Sequence, residues 1–202
     1  MNILTLENVS VQRGEMVLCK NVSFALAAGE ICHLLGENGL GKTTLLAQIV
    51  GLLPVLTGRV DYLNGQRLRA LYVSHQTGVH EALTVRQNLD FLMALHGVHI
   101  TDEMAEQALT MVGLAGFDDV SCGELSAGQG RRVGLARLWL TDAERVPLWL
   151  LDEPLTALDV AMVQVLEQRI VDFARLGGAV LLTSHQSLLV ANRHLDLAEY
   201  VV

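Results

Sequence analysis

The chain has 202 residues, 51% of them apolar, with 14 basic and 22 acidic side chains and a formal net charge of −8. That length suffices for one domain with a full core and leaves little room for two. The acidic balance lacks the basic surplus of a protein that neutralises many nucleic-acid phosphates, so a nucleic-acid partner is not expected. No apolar run reaches the roughly 18 residues of a membrane span, and Met1 to Ser10 lack the basic start and apolar stretch of a secretory signal. The expectation is a cytoplasmic protein with no direct membrane insertion. Cys19, Cys32 and Cys122 are odd in number and far apart, which suits reduced thiols better than disulfides or a zinc site.

Taken in chain order, Ile3 to Gln12 and Val17 to Leu26 read as two strands joined through Arg13-Gly14-Glu15. The apolar run Ile31 to Leu35 predicts a third strand, and Thr44 to Val50 the start of a helix. Between them stands Gly36-Glu37-Asn38-Gly39-Leu40-Gly41-Lys42-Thr43, a P-loop pattern. Its glycines let several backbone N–H groups converge on phosphate oxygens in front of a helix N-terminus, Lys42 reaches the β- and γ-phosphates, and Thr43 offers a hydroxyl to Mg²⁺. A glycine-rich turn capping an ordinary helix is the bland alternative, and the strand before the loop argues against it. Gly58 to Val73 reads as short strands with a hairpin turn at Asn64-Gly65. Val79 to Asp142 is mainly helical, with Leu83, Val85, Leu89, Leu92 and Leu95 spaced for one apolar face. After Pro147 the α/β pattern resumes: a buried strand Leu148 to Leu151, a helix from about Val160 to Leu176, and a strand Ala179 to Thr183. One domain is expected, its core formed by about residues 1–77 and 146–202 and interrupted by a helical lobe at about 78–145.

The strand Leu148 to Leu151 ends in Asp152-Glu153. Buried parallel strands deliver acids to the edge of the sheet where ligands bind, so Asp152 is placed to hold Mg²⁺ and Glu153 to polarise the water that attacks a γ-phosphate. Alone, the segment reads as a strand entering a capped turn; paired with the P-loop it reads as a Walker B motif. Leu125-Ser126-Ala127-Gly128-Gln129 resembles the LSGGQ signature of ATP-binding cassette proteins, with Ala127 in place of the first glycine. Gln76 resembles the Q-loop glutamine of that family, Ala157-Leu158-Asp159 its D-loop, and His185, after Thr183-Ser184, its switch histidine. As isolated residues these are ordinary loop side chains; their order along almost the whole chain gives them weight.

The resemblance implies a P-loop NTPase core of RecA-like type with an N-terminal antiparallel β subdomain and an inserted helical subdomain. It implies ATP and Mg²⁺ as cofactors: Gly36 to Thr44, Gln76 and Asp152 on the nucleotide, Thr43, Gln76 and Asp152 toward the metal, and Lys42, Glu153 and His185 in catalysis. It also implies a head-to-tail dimer in which Leu125 to Gln129 acts on ATP held by the partner chain, with Asp159 in the D-loop, and an integral membrane permease that receives the work. No aromatic stands at Gln12-Arg13-Gly14, where the family stacks one on adenine, and Arg13 offers a guanidinium plane instead. Within the family the stretches LSAGQGRRVGLARLWL and LWLLDEPLTALDV, with Leu182 to Gln186, are similar to the ATP-binding subunits of cytochrome c biogenesis transporters, the haem-export group. Gly130 and Ser184 depart from the usual glutamine and threonine. The resemblance implies ATP hydrolysis that energises c-type cytochrome maturation at the inner membrane, by haem export or by release of a haem-loaded chaperone. A cassette serving another substrate stays open, as do a soluble cassette of DNA repair or translation and a regulatory module without turnover. His75, His80, His96 and His99 are scattered and read as ordinary residues, not as haem ligands.

Overall fold

A computed structural model describes residues 1–65, 70–76, 78–186 and 188–202. In chain order the elements are β1 (Asn2–Arg13), β2 (Met16–Ala27), β3 (Ile31–Leu35), α1 (Lys42–Ile49), β4 (Arg59–Tyr62) and β5 (Ala70–Val73). Then come α2 (Val85–Ala94), α3 (Asp102–Met111), α4 (Ala127–Ala136), β6 (Leu148–Leu151), α5 (Val160–Arg175), β7 (Ala179–Leu182) and β8 (Arg193–Asp196).

Two sheets divide the strands. β1 and β2 pair antiparallel and β4 joins the free edge of β1, giving the order β2-β1-β4. The other sheet is parallel, in the order β5-β6-β7-β3-β8. Its central strands are buried on both faces, which is why β6 and β7 are continuous apolar runs with no polar alternation. Alternate side chains feed different cores. Cys32, Leu34, Leu148, Leu150, Ala179 and Leu181 pack with α1 and the antiparallel sheet; Ile31, Trp149, Leu151, Val180 and Leu182 pack with α5 and the helical segment.

The helical segment is built from short helices whose starts are fixed by capping. Thr84 and Ser126 form reciprocal capping boxes with Gln87 and Gln129, and Thr101 caps α3. Val85, Leu89, Leu92 and Met93 bury the inner face of α2. Leu95, expected on that face, is exposed, because it sits at the C-cap where the helix stripe has run out. This lobe shares its core with the face of the parallel sheet that carries Trp149. Phe173 of α5 stacks on Trp149 with ring centroids 3.6 Å apart, and the Arg169 guanidinium covers the indole at 5.1 Å while donating to the Leu138 and Thr141 carbonyls. Gly178 has to be glycine: a Cβ there would lie 2.2 Å from the Phe173 ring.

One expectation is corrected. Asn64-Gly65 does not close a hairpin: β4 pairs with β1 and β5 with β6, so the chain changes sheets at this point through a 3₁₀ turn at Leu63–Gly65. The short, two-sided apolar run of β5 is buried in the parallel sheet, whereas β4 alternates exposed and half-buried side chains at an edge. The rest of that connection, residues 66–69, lies outside the described residues.

Replacing Phe173 with alanine removes a fully buried ring from the stack on Trp149. The expected cost is about 3–5 kcal/mol of unfolding free energy, measured by urea denaturation.

Candidate functional site

The strand order creates the site. β6, β7 and β3 are immediate neighbours and parallel, so their carboxyl ends open at one edge of the sheet. The loop after β3 carries Gly36 to Gly41, β6 runs into Asp152 and Glu153, and β7 runs into Thr183, Ser184 and His185. A cleft of about 470 Å³ at this edge is lined by Arg13, Leu18, Asn38, Gly39 and Gly41, by Lys42, Thr43 and Thr44 of α1, and by Asp152, Glu153 and His185. Gly36, Gly39 and Gly41 all take positive φ, the backbone that turns successive N–H groups inward. Gly41 is also the N-cap of α1, packed so closely under the antiparallel sheet that a Cβ would lie 2.6 Å from Val11 Cγ1. Lys42 Nζ donates to the Gly36 carbonyl at 2.6 Å and the Glu37 carbonyl at 3.2 Å, which holds the ammonium across the loop. Leu40 packs against Gly36, its Cδ1 3.3 Å from where a Gly36 Cβ would stand.

The carboxylates are held in a polar chain. Thr43 Oγ1 donates to Asp152 Oδ2 at 2.8 Å, and Thr183 Oγ1 donates to Asp152 Oδ1 at 2.8 Å. The same Thr183 oxygen accepts the Glu153 N–H at 2.8 Å. Asp152 and Thr183 are buried, whereas the Glu153 carboxylate faces the cleft, with His185 Nε2 3.6 Å from Glu153 Oε1. Behind the segment that carries His185, buried His33 of β3 donates from Nε2 to the Ser184 carbonyl at 3.1 Å. Burial pushes its pKa below the usual histidine range, against the opposing pull of that carbonyl. Arg13 and Thr44 also border an adjoining hollow of about 320 Å³ with Gln12, Gly14, Leu53 and Pro54.

The structure does not bring the remaining expected residues to this cleft. Leu125, Ser126 and Ala127 line a second cleft of about 560 Å³ with Gln76, Arg131 and Ala157, and no residue lines both. Ser126 and Gln129 spend their side chains on each other's backbone in the cap of α4, and Gly128 lies in its first turn with open space where a Cβ would be. Gln76 is exposed in this second cleft, away from Thr43 and Asp152. Asp159 caps α5 by accepting from Met162 N at 2.8 Å, a bond that, with the nearby Arg132 guanidinium, keeps its carboxyl below the usual range. The three cysteines are free and buried, and burial raises each thiol, Cys32 to about 12. They are inert core residues. No cluster of three or more metal-ligating His, Cys, Asp or Glu occurs among the described residues, and no helix there is long and apolar enough to cross a membrane.

The ABC transporter family profile matches residues 19–156, from β2 through both carboxylates. The chain belongs to the ABC transporter family. Among its relatives is the protein named cytochrome c biogenesis ATP-binding export protein CcmA of Photobacterium profundum, 42% identical over 96% of this chain and 97% of the relative. Among solved structures, the fold is similar to an ABC transporter ATP-binding protein from Pyrococcus furiosus, described as putative, with a TM-score of 0.85, 25% identity and coverage of 98% and 99% of the two chains. It is also similar to an ATP-binding cassette solved as a dimer in a post-hydrolysis state bound to ADP and Pi, with a TM-score of 0.82, 24% identity and coverage of 96% and 94%.

Within this ABC cassette three side chains lay outside the site expected from sequence: Thr183, His33 and Arg131. Thr183 stood at the end of a strand with no motif of its own, and only its place beside β6 gives its hydroxyl two partners in the site. Replacing it with valine keeps the shape but strands the Asp152 carboxylate and the Glu153 N–H. The expected result is a loss of about 1–3 kcal/mol in urea unfolding together with slower ATP turnover, and restoration of both by Thr183→Ser.

Proposed function

We propose that this chain is the ATP-hydrolysing subunit of a transporter complex serving c-type cytochrome biogenesis. The observation that carries the hydrolytic part is the cleft in which Lys42, Thr43, Asp152, Glu153 and His185 meet. The biological assignment rests on 42% identity, over nearly the full length of both chains, to a protein named for cytochrome c biogenesis export.

In this reading the amides of Gly36 to Gly41 and the N-terminal end of α1 hold the nucleotide phosphates, with Glu37, Asn38 and Leu40 shaping the loop. Lys42 turns from the loop carbonyls onto the β- and γ-oxygens. Arg13 and the adjoining hollow take the base, the guanidinium plane stacking where no aromatic is present. Thr43 and Asp152 would hold Mg²⁺: a hydroxyl and a single carboxylate, 2.8 Å apart, are oxygen ligands that suit a hard cation. When bound, the ion neutralises charge that builds on the phosphate oxygens. Glu153 accepts a proton from the attacking water, and its ordered backbone aims the carboxylate. His185, beside Glu153 at the end of the neighbouring strand, contacts the γ-phosphate.

Because Ser126 lines a different cleft from the P-loop, with Gly128 in the helix turn that follows it, each ATP needs the signature helix of a second copy. The cassette solved as a dimer with ADP and Pi offers a precedent. Gln76 and the start of the helical lobe then pass closure to a membrane permease, and the subunit sits on the cytoplasmic face of the inner membrane through that partner. Asp159, the N-cap of α5 just after the Thr156 and Ala157 wall of the second cleft, lies at the junction of the two chains.

Glu153→Gln is expected to bind ATP, to lose turnover by at least 100-fold, and to bring cytochrome c maturation membrane proteins with it when captured with ATP from detergent-solubilised membranes. Recovery of an unrelated permease instead would keep the ATPase and reject the cytochrome assignment. Ser126→Arg is expected to abolish hydrolysis while leaving nucleotide affinity of the isolated chain unchanged, measured by equilibrium binding of a fluorescent ATP analogue. Lost binding there would reject the two-chain site.

A further inference from the structure

Arg131 stands on α4, in the first turns of the signature helix, yet its side chain is buried and reaches out of its own lobe. One guanidinium nitrogen donates to the His75 carbonyl at 3.1 Å, immediately before Gln76, and the other donates to the Glu153 carbonyl. Its Nε is buried with no hydrogen-bond partner, and no carboxylate is paired with it among the described ion pairs. Burial pushes its pKa down, and the carboxylates of Glu153 and Asp152 pull it back up.

This is an expensive way to fill space. A buried cation on neutral carbonyls gains less than it would against a carboxylate, and an apolar side chain of similar volume would often serve stability as well or better. What the guanidinium supplies, and no apolar side chain can, is a planar fork that fixes two carbonyls relative to each other. The carbonyls it fixes belong to the segment carrying Gln76 and to the residue carrying the catalytic carboxylate. Glu153 has φ 52, a left-handed backbone that a non-glycine residue adopts only under constraint, and its peptide groups are tethered on both sides, the N–H by Thr183 and the carbonyl by Arg131.

We infer that Arg131 is a positioning residue for hydrolysis: it transmits the position of the signature helix, set by the partner's ATP, to the Glu153 carboxylate of its own chain. This rests on the ATPase reading above and adds a route in cis, because the helix that touches the partner's nucleotide is bolted to this chain's own general base. ATP binding at the P-loop does not pass through Arg131, which lines the second cleft and not the first. Its loss should therefore fall on kcat and not on nucleotide affinity.

The test compares wild type, Arg131→Met, Arg131→Lys, Glu153→Gln and the double variant Arg131→Met/Glu153→Gln, all in the full chain. Thermal unfolding and equilibrium ATP binding are measured beside steady-state and single-turnover hydrolysis. The expected result is a loss of about 10- to 100-fold in kcat for Arg131→Met, with KM and ATP affinity within about twofold. Arg131→Lys, with its cation but no fork, is expected to fall between. In the Glu153→Gln background the Arg131→Met change should cause little further loss, because positioning an absent carboxylate has no effect. A wild-type kcat in Arg131→Met, or an equal fold-loss in both backgrounds, overturns the proposal. If Arg131→Met does not fold, a wild-type kcat in Arg131→Lys overturns it and a reduced kcat at unchanged KM supports it. Failure of the ATPase reading itself looks different: wild type would not hydrolyse ATP, or Glu153→Gln would hydrolyse it normally.

Discussion

The Asp152 carboxylate is the point on which the site depends. It is buried at the end of β6, and each of its oxygens accepts a hydroxyl, one from Thr43 at the start of α1 and one from Thr183 at the end of β7. A buried anion is tolerated only when its lone pairs are occupied, so three separate elements are forced into one register. The P-loop cannot drift from the sheet edge without leaving one carboxylate oxygen short of its hydroxyl donor, and neither can β7. The Thr183 oxygen then serves a third group, the Glu153 N–H, and the constraint extends from Asp152 to Glu153.

Around this polar point the packing is apolar and continuous. The parallel sheet sends alternate side chains to two cores, one closed by α1 and the antiparallel sheet and the other by α5 and the helical segment. The lobe that bears Ser126 therefore shares buried surface with the sheet that bears Asp152. Shared apolar surface is non-directional and permits small rotations; hydrogen bonds set the angle. Two arginines of α4 supply such bonds. Arg132 reaches Asp159 and the Val112 carbonyl, and Arg131 reaches the two carbonyls described above. Apolar contact keeps the lobe attached, and the guanidinium forks decide how it is oriented.

How much of this was legible in the sequence varied with how local the cause was. β3 and β6 were read to the residue, and β7 and α5 nearly so, because runs buried on both faces and stripes of helical period are written in consecutive residues. The glycines and Lys42-Thr43 announced a phosphate loop for the same reason. β8, Arg193-His-Leu-Asp, carries no such pattern: it is an edge strand with only Leu195 deeply buried, and its pairing with β3 is set from outside. Asn64-Gly65 has hairpin chemistry, yet the destination of the flanking strands overrode the turn. The polar chain from Thr43 to Glu153 spans residues more than a hundred positions apart, and although Thr183 and Arg131 stand within two residues of His185 and Gln129, nothing in the sequence says that their side chains reach Asp152 and the Glu153 carbonyl. Gln76 was read from its order among motifs, and order does not give distance; the structure lines it up with the signature cleft.

The backbone at Glu153 shows what the surrounding bonds are for. Glu153 and Ala157 both take positive φ without being glycine, at 52° and 61°, four residues apart on the connection between β6 and α5. Each such residue costs on the order of 1–2 kcal/mol relative to an ordinary conformation, and it persists only where neighbours over-determine it. At Glu153 those neighbours are identifiable: Thr183 from one side and Arg131 from the other. Ala157 lies where the connection lines the second cleft, beside Ala127 and Ser126. The strained segment thus runs from the wall of the phosphate cleft to the wall of the signature cleft. A shift at either end is not absorbed by a slack loop, because a loop held in an unfavourable conformation at both ends has few alternatives of similar energy. The same strain that costs stability leaves the segment between the two clefts little slack.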